Sequence, residues 1–299
     1  MNAPAPAVRL SLDAMATRFE VALHGDTPSR LRAAGEEALA EIKRLDAQLS
    51  FYNPASEVSR INILAAGGPV RVDPRVFRLV RYCAELRRRT EGLFDVAIVP
   101  LLRLWGFTGT EGRVPDPEAI SRALEVSGMD QVTFDTKNLT LRFARPGSAI
   151  DLGAIAKGYA VGCAKDILKD CGVTSALIHG GTSSVYGIGA PPGQDTWRVA
   201  IRDPRHENQA LEVVGLHDCA LGVSAVHGKS FVVGGSEYGH VIDPNTGCAV
   251  AGVRLAAVTG PSATDCDALS TALLITGEQW IPTFRERFPG YRAIFTPIT

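Results

Sequence analysis

Helix-like and strand-like patterns are distributed unevenly along the chain, and this distribution restricts the fold more than any other feature. Amphipathic helix patterns occur mainly in the first half, whereas short apolar segments separated by glycines dominate after residue 172. A regular parallel sheet would need strands and helices that alternate along the whole chain. The sequence therefore predicts an α+β fold.

Hydrophobic periodicity places the individual elements. Residues 7–24 alternate as two short strands, and apolar residues recur at helical spacing from Leu31 to Leu49. A second helix is expected from Pro74 to Arg89, with a loop over 50–62 and irregular chain over 94–107. The later expectations are a short helix over 115–128, a hairpin over 131–143, a strand, turn and helix over 149–172, strands up to 260, helices at 265–275 and 278–287, and a strand at 291–296.

Composition and charge remove several classes of function. The 31 Lys and Arg residues balance 32 Asp and Glu residues without a long basic run, so nucleic acid is not an expected partner. No window of the sequence approaches the ~20 apolar residues that cross a bilayer. The first residues show no export signal, so we expect a cytoplasmic location, or a periplasmic one if a native signal has been removed.

Length and residue usage favour one enzyme unit. The 299 residues show no repeat and no low-complexity linker, so we expect a single unit over 1–299; the alternative is two intertwined lobes with a soft boundary near 110–147. The 30 glycines exceed the ~7% average, which indicates tight turns and close backbone approaches. The six cysteines are scattered without a C-x-x-C pair, so we predict reduced packing thiols rather than a disulfide framework or a zinc site.

One segment has the pattern of a phosphate-binding turn. Asp151 ends an expected strand, Gly153 lies in the turn, and Lys157 lies one turn into the next helix. Free N–H groups at a helix start and a nearby ammonium group both favour an anion. The alternative is an ordinary strand-to-helix corner with a lysine on the surface. Gly180 and Gly181, which end a later strand, are a weaker candidate for a similar backbone nest.

A later strand carries a candidate general base. It delivers His240 and Asp243 to a Pro-Asn-Thr-Gly turn. A histidine at this place could accept a proton near neutral pH. The alternative is a structural histidine beside a turn.

A carboxylate and a hydroxyl near the C-terminus form a candidate metal site. Asp267 and Thr271 are four residues apart on one expected helix, so they share a face and offer the oxygen ligands that Mg²⁺ prefers. The alternative is helix capping, with Ser262, Thr264 or Asp265 at the N-cap and Asp267 stabilising the helix dipole.

Seven segments together resemble one family, the FAD:protein FMN transferases, also called ApbE-like flavin transferases. They cover almost the whole chain in the order of that family. The segments are MAT at 15–17, SFYNPASEVSRIN at 50–62, GLFDVAIVPLLRLWGF at 92–107, DLGAIAKGYAV at 151–161, GG at 180–181, HVIDPNTG at 240–247 and DALSTALL at 267–274. The resemblance implies a T-fold-like architecture, in which helices pack on a mostly antiparallel sheet.

The resemblance also implies a reaction and a site. FMN would be transferred from FAD to a Thr or Ser hydroxyl of a target flavoprotein, with Mg²⁺ at the pyrophosphate and AMP as the leaving group. By motif, His240 would be the base, and Asp267, Thr271 and the backbone carbonyl of Ala154 would hold the metal. The residues expected around FAD are Tyr52, Ser56, Glu57, Asp95, Asp151, Lys157 and Gly181.

Two departures from the family pattern keep other functions open. The stretch 222–231 reads GVSAVHGKSF where the family has a Thr-Ser-Gly-Asp-Tyr-like run, and Gly162 stands where an aspartate is common. His227 and Lys229 are candidates for a local role there, with solvated loop residues as the alternative. An altered acceptor site would leave an FAD pyrophosphatase, which releases FMN and AMP. A non-catalytic FAD-binding protein is the other alternative, although storage needs neither metal ligands nor a base.

Overall fold

The helices lie mainly in the first half of the chain and near its end. The computed structural model describes residues 7–109, 111–203, 209–226, 230–251 and 254–297, and eight α-helices occur within these ranges. They are α1 (Pro28–Leu49), α2 (Glu57–Leu64), α3 (Pro74–Arg89), α4 (Val99–Leu104), α5 (Pro117–Leu124), α6 (Ala156–Asp170), α7 (Ala263–Thr276) and α8 (Ile281–Arg287). None of these described helices combines the length and the apolar composition needed to span a membrane.

Four antiparallel sheets contain the strands of the described residues. The strands are β1 (Ala7–Ala14), β2 (Thr17–His24), β3 (Val70–Arg71), β4 (Val132–Asp135), β5 (Thr140–Phe143), β6 (Ala176–Gly180), β7 (Ser184–Ile188), β8 (Trp197–Arg202), β9 (Ala210–Leu216), β10 (Cys219–Ala225), β11 (Ser230–Val233), β12 (Ser236–Ile242), β13 (Ala249–Ala251), β14 (Arg254–Gly260) and β15 (Arg292–Pro297). The largest sheet has the order β1-β2-β6-β7-β10-β14-β15, and the others are β11-β12-β13, β3-β5-β4 and β8-β9. The α+β prediction is confirmed.

The seven-stranded sheet is covered on both faces. Helix α6 contacts both α1 and α7, and the three helices pack on one face. The ribbon β8-β9 covers part of the other face, where Trp197, Leu221 and Leu255 belong to one buried cluster. Alternation along β10 divides that strand between the two layers, because Leu221 faces the ribbon while a Cβ at Gly222 would lie 2.2 Å from the carbonyl oxygen of Cys266 on α7.

The structure corrects two of the sequence expectations. Helices α2 and α4 lie in segments expected to be loop or irregular chain; α2 begins where the Ser56 hydroxyl accepts a 3.0 Å hydrogen bond from a backbone N–H of the first turn. The residues 149–152 do not form the expected strand. Their position is fixed instead by a side chain, since both backbone groups of Ile150 pair with the amide of Asn62.

The end of the chain also differs from expectation in one detail. A 3-10 turn over Gly277–Trp280 precedes α8, so the α-helix expected from 278 begins only at Ile281. Most of the core is continuous: one buried apolar cluster includes Val8 near the start of the described chain and Phe288 near its end. The division of the chain into two lobes near 110–147 stays a prediction.

Candidate active site

Three of the sequence motifs meet at the short segment before α6. The side chain of Asn62 accepts a hydrogen bond from the N–H of Ile150 at 2.8 Å and donates one to its carbonyl oxygen at 2.9 Å. On the next residue, the N–H of Asp151 donates to the carbonyl oxygen of Val96 at 2.8 Å. The segments 50–62, 92–107 and 151–161 are therefore joined at one place by hydrogen bonds.

The turn into α6 is held by its own aspartate. The Asp151 carboxylate accepts a 2.9 Å hydrogen bond from the N–H of Gly153, and Ala154 follows in the same turn. Helix α6 begins at Ala156 without a side-chain cap. The N–H of Ala156 donates to the Leu152 carbonyl oxygen at 2.8 Å and that of Gly158 donates to a carboxylate, so these bonds leave the N–H of Lys157 for another acceptor. The ammonium group of Lys157 reaches back to the Gly153 carbonyl oxygen at 3.3 Å. The lysine of the expected anion-binding pattern therefore lies at this helix start, together with one backbone N–H that these bonds leave for an anion.

Asp267 connects α7 to this helix start. Its carboxylate is buried and accepts hydrogen bonds from the N–H of Gly158 at 2.8 Å and from the hydroxyl of Ser184 at 3.1 Å. Burial raises the pKa of Asp267, whereas the charge of Lys157 and the two hydrogen bonds lower it. The N-cap of α7 is Ser262. Ser262, one of the cap residues that the capping alternative named, is confirmed as the cap, while the Asp267 carboxylate bonds to α6 and to Ser184 rather than to the end of its own helix.

Hydroxyl groups surround the second candidate metal ligand. The Thr271 hydroxyl lies 3.1 Å from the hydroxyl of Ser224 on β10, which lies 2.8 Å from the hydroxyl of Ser270. Ser224, Ser270 and the Asp267 partner Ser184 were not among the residues singled out from the sequence. Two of these serines lie on strands and Ser270 lies on α7, and none of them has a spacing signal, so only the packing of β7 and β10 against α7 identifies them.

The Tyr52 loop lies close enough to Asp151 for the charge of this carboxylate to act on the Tyr52 hydroxyl. Tyr52 is 63% exposed, and its ring meets that of Phe51 edge to face with centroids 5.1 Å apart. Partial burial and the negative charge of Asp151 raise the pKa of the Tyr52 hydroxyl. An exposed aromatic side chain near the predicted pyrophosphate turn is suited to contact a flavin ring. That contact stays a prediction.

Two neighbours of Tyr52 have structural contacts. Ser56 is buried, with its hydroxyl donating to the carbonyl oxygen of Ser50 at 2.5 Å in addition to capping α2. The Glu57 carboxylate accepts hydrogen bonds from Arg60 at 2.7 Å and from the N–H of Asp73 at 3.0 Å. Both side chains fix the position of α2, and their predicted contacts with FAD stay predictions.

Asp95 is buried within the protein framework. Its carboxylate pairs with Arg87 at 2.5 Å and accepts hydrogen bonds from the N–H groups of Ala97 at 2.7 Å and Met129 at 3.0 Å. Burial raises the pKa of Asp95, while these three partners lower it. These contacts hold the 92–107 segment, and a contact of Asp95 with FAD stays a prediction.

Gly181 packs against the MAT segment at a place where a side chain would not fit. Its φ is +62°, and a Cβ would lie 2.2 Å from the hydroxyl oxygen of Thr17. Met15 and Ala16 form the adjacent hairpin turn with φ of 49° and 56°, which is unusual for residues other than glycine. An open cavity of about 520 Å³ lies beside this turn, with Asp46 in its lining. The two shortest motifs, MAT and GG, are therefore in contact.

His240 lies on β12 and is half-buried. The Asp243 carboxylate accepts hydrogen bonds within the following turn, from the N–H of Asn245 at 2.9 Å and the hydroxyl of Thr246 at 3.0 Å. The turn is joined to the 92–107 segment, because the indole N–H of Trp105 donates to its Gly247 carbonyl at 2.9 Å. His227 and Lys229 lie outside the described residues.

Comparison with known proteins identifies the family. The model of the ApbE family matches residues 15–295. The chain belongs to the ApbE family. This family member is 30% identical to the FAD:protein FMN transferase of Treponema pallidum, over 93% of this chain and 81% of that protein. The predicted family is therefore confirmed.

Solved structures of the family share the fold. The ApbE protein of Thermotoga maritima superposes with a TM-score of 0.87 at 31% identity, covering 97% of this chain and 94% of that one. The apo flavinyl transferase ApbE of Pseudomonas stutzeri gives 0.86 at 30% identity, covering 100% and 94%. The α+β architecture expected from the resemblance is thus the one found in these ApbE proteins.

Proposed function

We propose that this ApbE family member transfers FMN from FAD to a threonine or serine hydroxyl of a target flavoprotein and releases AMP. One observation carries the proposal: the buried Asp267 carboxylate bonds to the first turn of α6, beside Lys157. This arrangement offers cationic and anionic groups together, as binding of a metal and a pyrophosphate requires. The transferase name of the Treponema pallidum relative supports the reaction class.

The start of α6 would bind the pyrophosphate of FAD. The N-terminus of this helix carries partial positive charge, and the backbone N–H of Lys157 is left for an acceptor there. The Lys157 ammonium group adds a full positive charge at the same place. The exposed Tyr52 would contact the flavin ring at the other end of the site. FAD would then extend from the Tyr52 loop to the α6 start.

Asp267 would be the anionic ligand of a Mg²⁺ ion. The Asp267 carboxylate is buried, burial raises its pKa, and a bound cation would stabilise its ionised form. The hydroxyl of Thr271 and the carbonyl of Ala154 would be the other protein ligands. Among the described residues no group of three His, Cys, Asp or Glu side chains could hold a metal, and the proposed site instead combines one carboxylate with a hydroxyl and a carbonyl oxygen. A bound Mg²⁺ would neutralise charge on the phosphoryl oxygens.

His240 would remove the proton of the acceptor. The hydroxyl oxygen forms a bond to the phosphorus of the FMN half, the bond from that phosphorus to the bridging oxygen breaks, and AMP leaves with the bridging oxygen. The hydroxyl proton moves to the imidazole of His240. Lys157, through its ammonium group and its backbone N–H, would stabilise the negative charge on the departing AMP phosphate.

FAD hydrolysis is the second candidate function. The departure of 222–231 from the family pattern favours it, because an altered acceptor site would let water attack the same phosphorus. A non-catalytic FAD-binding protein is the third candidate, and it would have no use for His240 or for the oxygen ligands.

One incubation separates the three candidates. The protein is mixed with FAD, Mg²⁺ and a panel of threonine-containing and serine-containing peptides, and all products are measured by mass spectrometry. Transfer yields an FMN-peptide adduct and an equal amount of AMP. Free FMN with AMP and no adduct would indicate the pyrophosphatase, and intact FAD would indicate a binding protein. A peptide panel with every threonine and serine replaced by alanine is the control.

A further inference from the structure

Asn62 links two parts of the candidate site that are far apart in sequence. Its side-chain amide makes both hydrogen bonds of Ile150, at 2.8 Å and 2.9 Å, across 88 residues. These two bonds define the orientation of the Asn62 amide. In a flipped amide, the NH₂ group would face the N–H of Ile150, and the amide oxygen would face the carbonyl oxygen of Ile150. Ile150 is fully buried, so loss of the amide would leave two backbone groups without these partners.

The first of the two parts consists of α2 and the Tyr52 loop. The hydroxyl of Ser59 on α2 donates to the carbonyl oxygen of Phe51 at 3.2 Å, and Ser56 donates to that of Ser50 at 2.5 Å. Both residues that precede Tyr52 are therefore bonded to α2 or its cap. The loop and the helix form one body, and Asn62 lies in the last turn of that helix.

The second part is the turn that begins at Asp151. It follows Ile150 directly and leads through Gly153 to Lys157 at the start of α6. The N–H of Asp151 bonds to Val96 on the side of the 92–107 segment. The amide of Asn62 bonds to Ile150, the residue immediately before this turn, so the position of the turn relative to α2 depends on Asn62.

We propose that Asn62 is a positioning residue that fixes the distance between the Tyr52 loop and the Asp151 turn, so that one FAD molecule contacts both at once. The inference rests on the proposed function, in which the flavin ring lies at Tyr52 and the pyrophosphate at the α6 start. Two sub-sites held at the right separation act as linked binding sites for a ligand that spans them, and this linkage raises the affinity for that ligand. The gain in affinity is lost when the separation is not fixed.

The proposal predicts a selective loss of affinity. Without the amide, each sub-site keeps its own contacts, so riboflavin and ADP should bind nearly as before. FAD should bind about tenfold or more weakly, because it needs both sub-sites in register. A purely structural Asn62 predicts instead that all three ligands lose affinity together as the folded fraction falls.

The test measures dissociation constants of riboflavin, ADP and FAD by titration calorimetry for Asn62→Ala and Asn62→Asp. The aspartate variant keeps the acceptor and the shape but turns the donor into a carboxylate oxygen that faces the Ile150 carbonyl, so it provides a second variant if alanine prevents folding. Ser148→Ala is the matched control. It removes another buried hydrogen bond of the same segment, from Ser148 to the Val126 carbonyl at 2.8 Å, without touching α2.

A double-mutant cycle with Tyr52→Ala adds a reading that folding alone would not change. In the wild-type background the tyrosine should contribute about tenfold to FAD affinity, and in the Asn62→Ala background this contribution should fall toward onefold.

Unchanged FAD affinity in both Asn62 variants would overturn the proposal, as would equal losses of affinity for all three ligands. FAD binding without transfer would remove the proposed function alone, whereas absence of FAD binding in the wild type would remove both.

Discussion

The Asp267 carboxylate on α7 accepts a 2.8 Å hydrogen bond from the N–H of Gly158 on α6. This bond depends on close contact of the two helices. A Cβ at Gly158 would lie 2.2 Å from the carbonyl oxygen of Ala263 and 2.6 Å from the Cβ of Asp267. The glycine therefore determines how near the carboxylate lies to the start of α6, where the proposed pyrophosphate site begins.

Gly158→Ala should separate α6 from α7 and displace Asp267. We expect the free energy of unfolding to fall by about 1–3 kcal/mol, as for overpacked sites, together with loss of FAD turnover per folded molecule. Gly162→Ala on the same helix is the control, because its Cβ would meet only the Thr264 hydroxyl at an ordinary 3.6 Å. That change should be neutral or stabilising by up to about 1 kcal/mol. Equal effects of the two substitutions in denaturation and turnover assays would contradict the role given to Gly158.

Asp267→Asn should abolish FAD turnover while the protein stays folded. The amide keeps the shape of the side chain and an oxygen that accepts from Gly158, but it removes the charge that Mg²⁺ needs. Ser262→Ala, which removes the N-cap of the same helix, should lower stability by about 1 kcal/mol and leave turnover per folded molecule intact. Circular dichroism and AMP release report both quantities. Full activity of the asparagine variant would refute the metal assignment.

Tyr52→Ala should weaken FAD binding about tenfold, because an aromatic contact contributes roughly 0.5–1.5 kcal/mol beyond burial. The fold should be unaffected, since this side chain is 63% exposed. Tyr52→Phe keeps the ring and should retain most of the affinity. Flavin fluorescence titration measures both variants, and an unchanged dissociation constant for Tyr52→Ala would mean that the loop only packs.

His240→Asn should slow transfer by about 10²–10⁴-fold while FAD and Mg²⁺ still bind. The wild-type rate should fall as the pH drops through the pKa of histidine, about 6.5 when unperturbed, because a protonated imidazole accepts no proton. The control is His217→Asn, since His217 lies exposed between the end of β9 and the start of β10. Single-turnover rates and melting temperatures of both variants distinguish a base from a structural histidine. A destabilised His240→Asn enzyme with full activity would refute the assignment.

Asp95→Ala should lower the free energy of unfolding by about 3 kcal/mol, because it leaves the Arg87 guanidinium and two N–H groups without their acceptor. Burial raises the pKa of Asp95 above its usual 3.8. The contribution of this carboxyl to stability is therefore largest below about pH 3.8 and falls as the pH rises through its folded-state pKa. Denaturant titrations at several acid pH values should show that the free energy of unfolding of the wild type falls relative to that of Asp95→Asn as the pH rises. A constant difference would contradict the raised pKa.

Local signals explain which elements could be predicted from the sequence. Helix α3 has the predicted bounds, since an aspartate cap and Pro74 mark its start and its apolar stripe is regular. Helix α2 was missed because its eight residues follow a loop-like Asn-Pro segment and are too few to show periodicity. The strand expected at 149–152 is absent because Asn62 supplies the partners that a neighbouring strand would have supplied. A side chain 88 residues away leaves no local signal.

The sequence alone determined the α+β class, the family and the segments that carry the candidate site. These follow from patterns within short stretches, where spacing along the chain translates directly into a helix face or a strand. Which of two roles a residue takes was decided only by the tertiary structure. Asp267 could stabilise the dipole of α7 or face a ligand, and its carboxylate bonds to α6, where Gly158 allows the two helices to touch. The physical reason is that hydrogen bonds and close contacts between distant segments depend on packing in three dimensions, which spacing along the chain does not record.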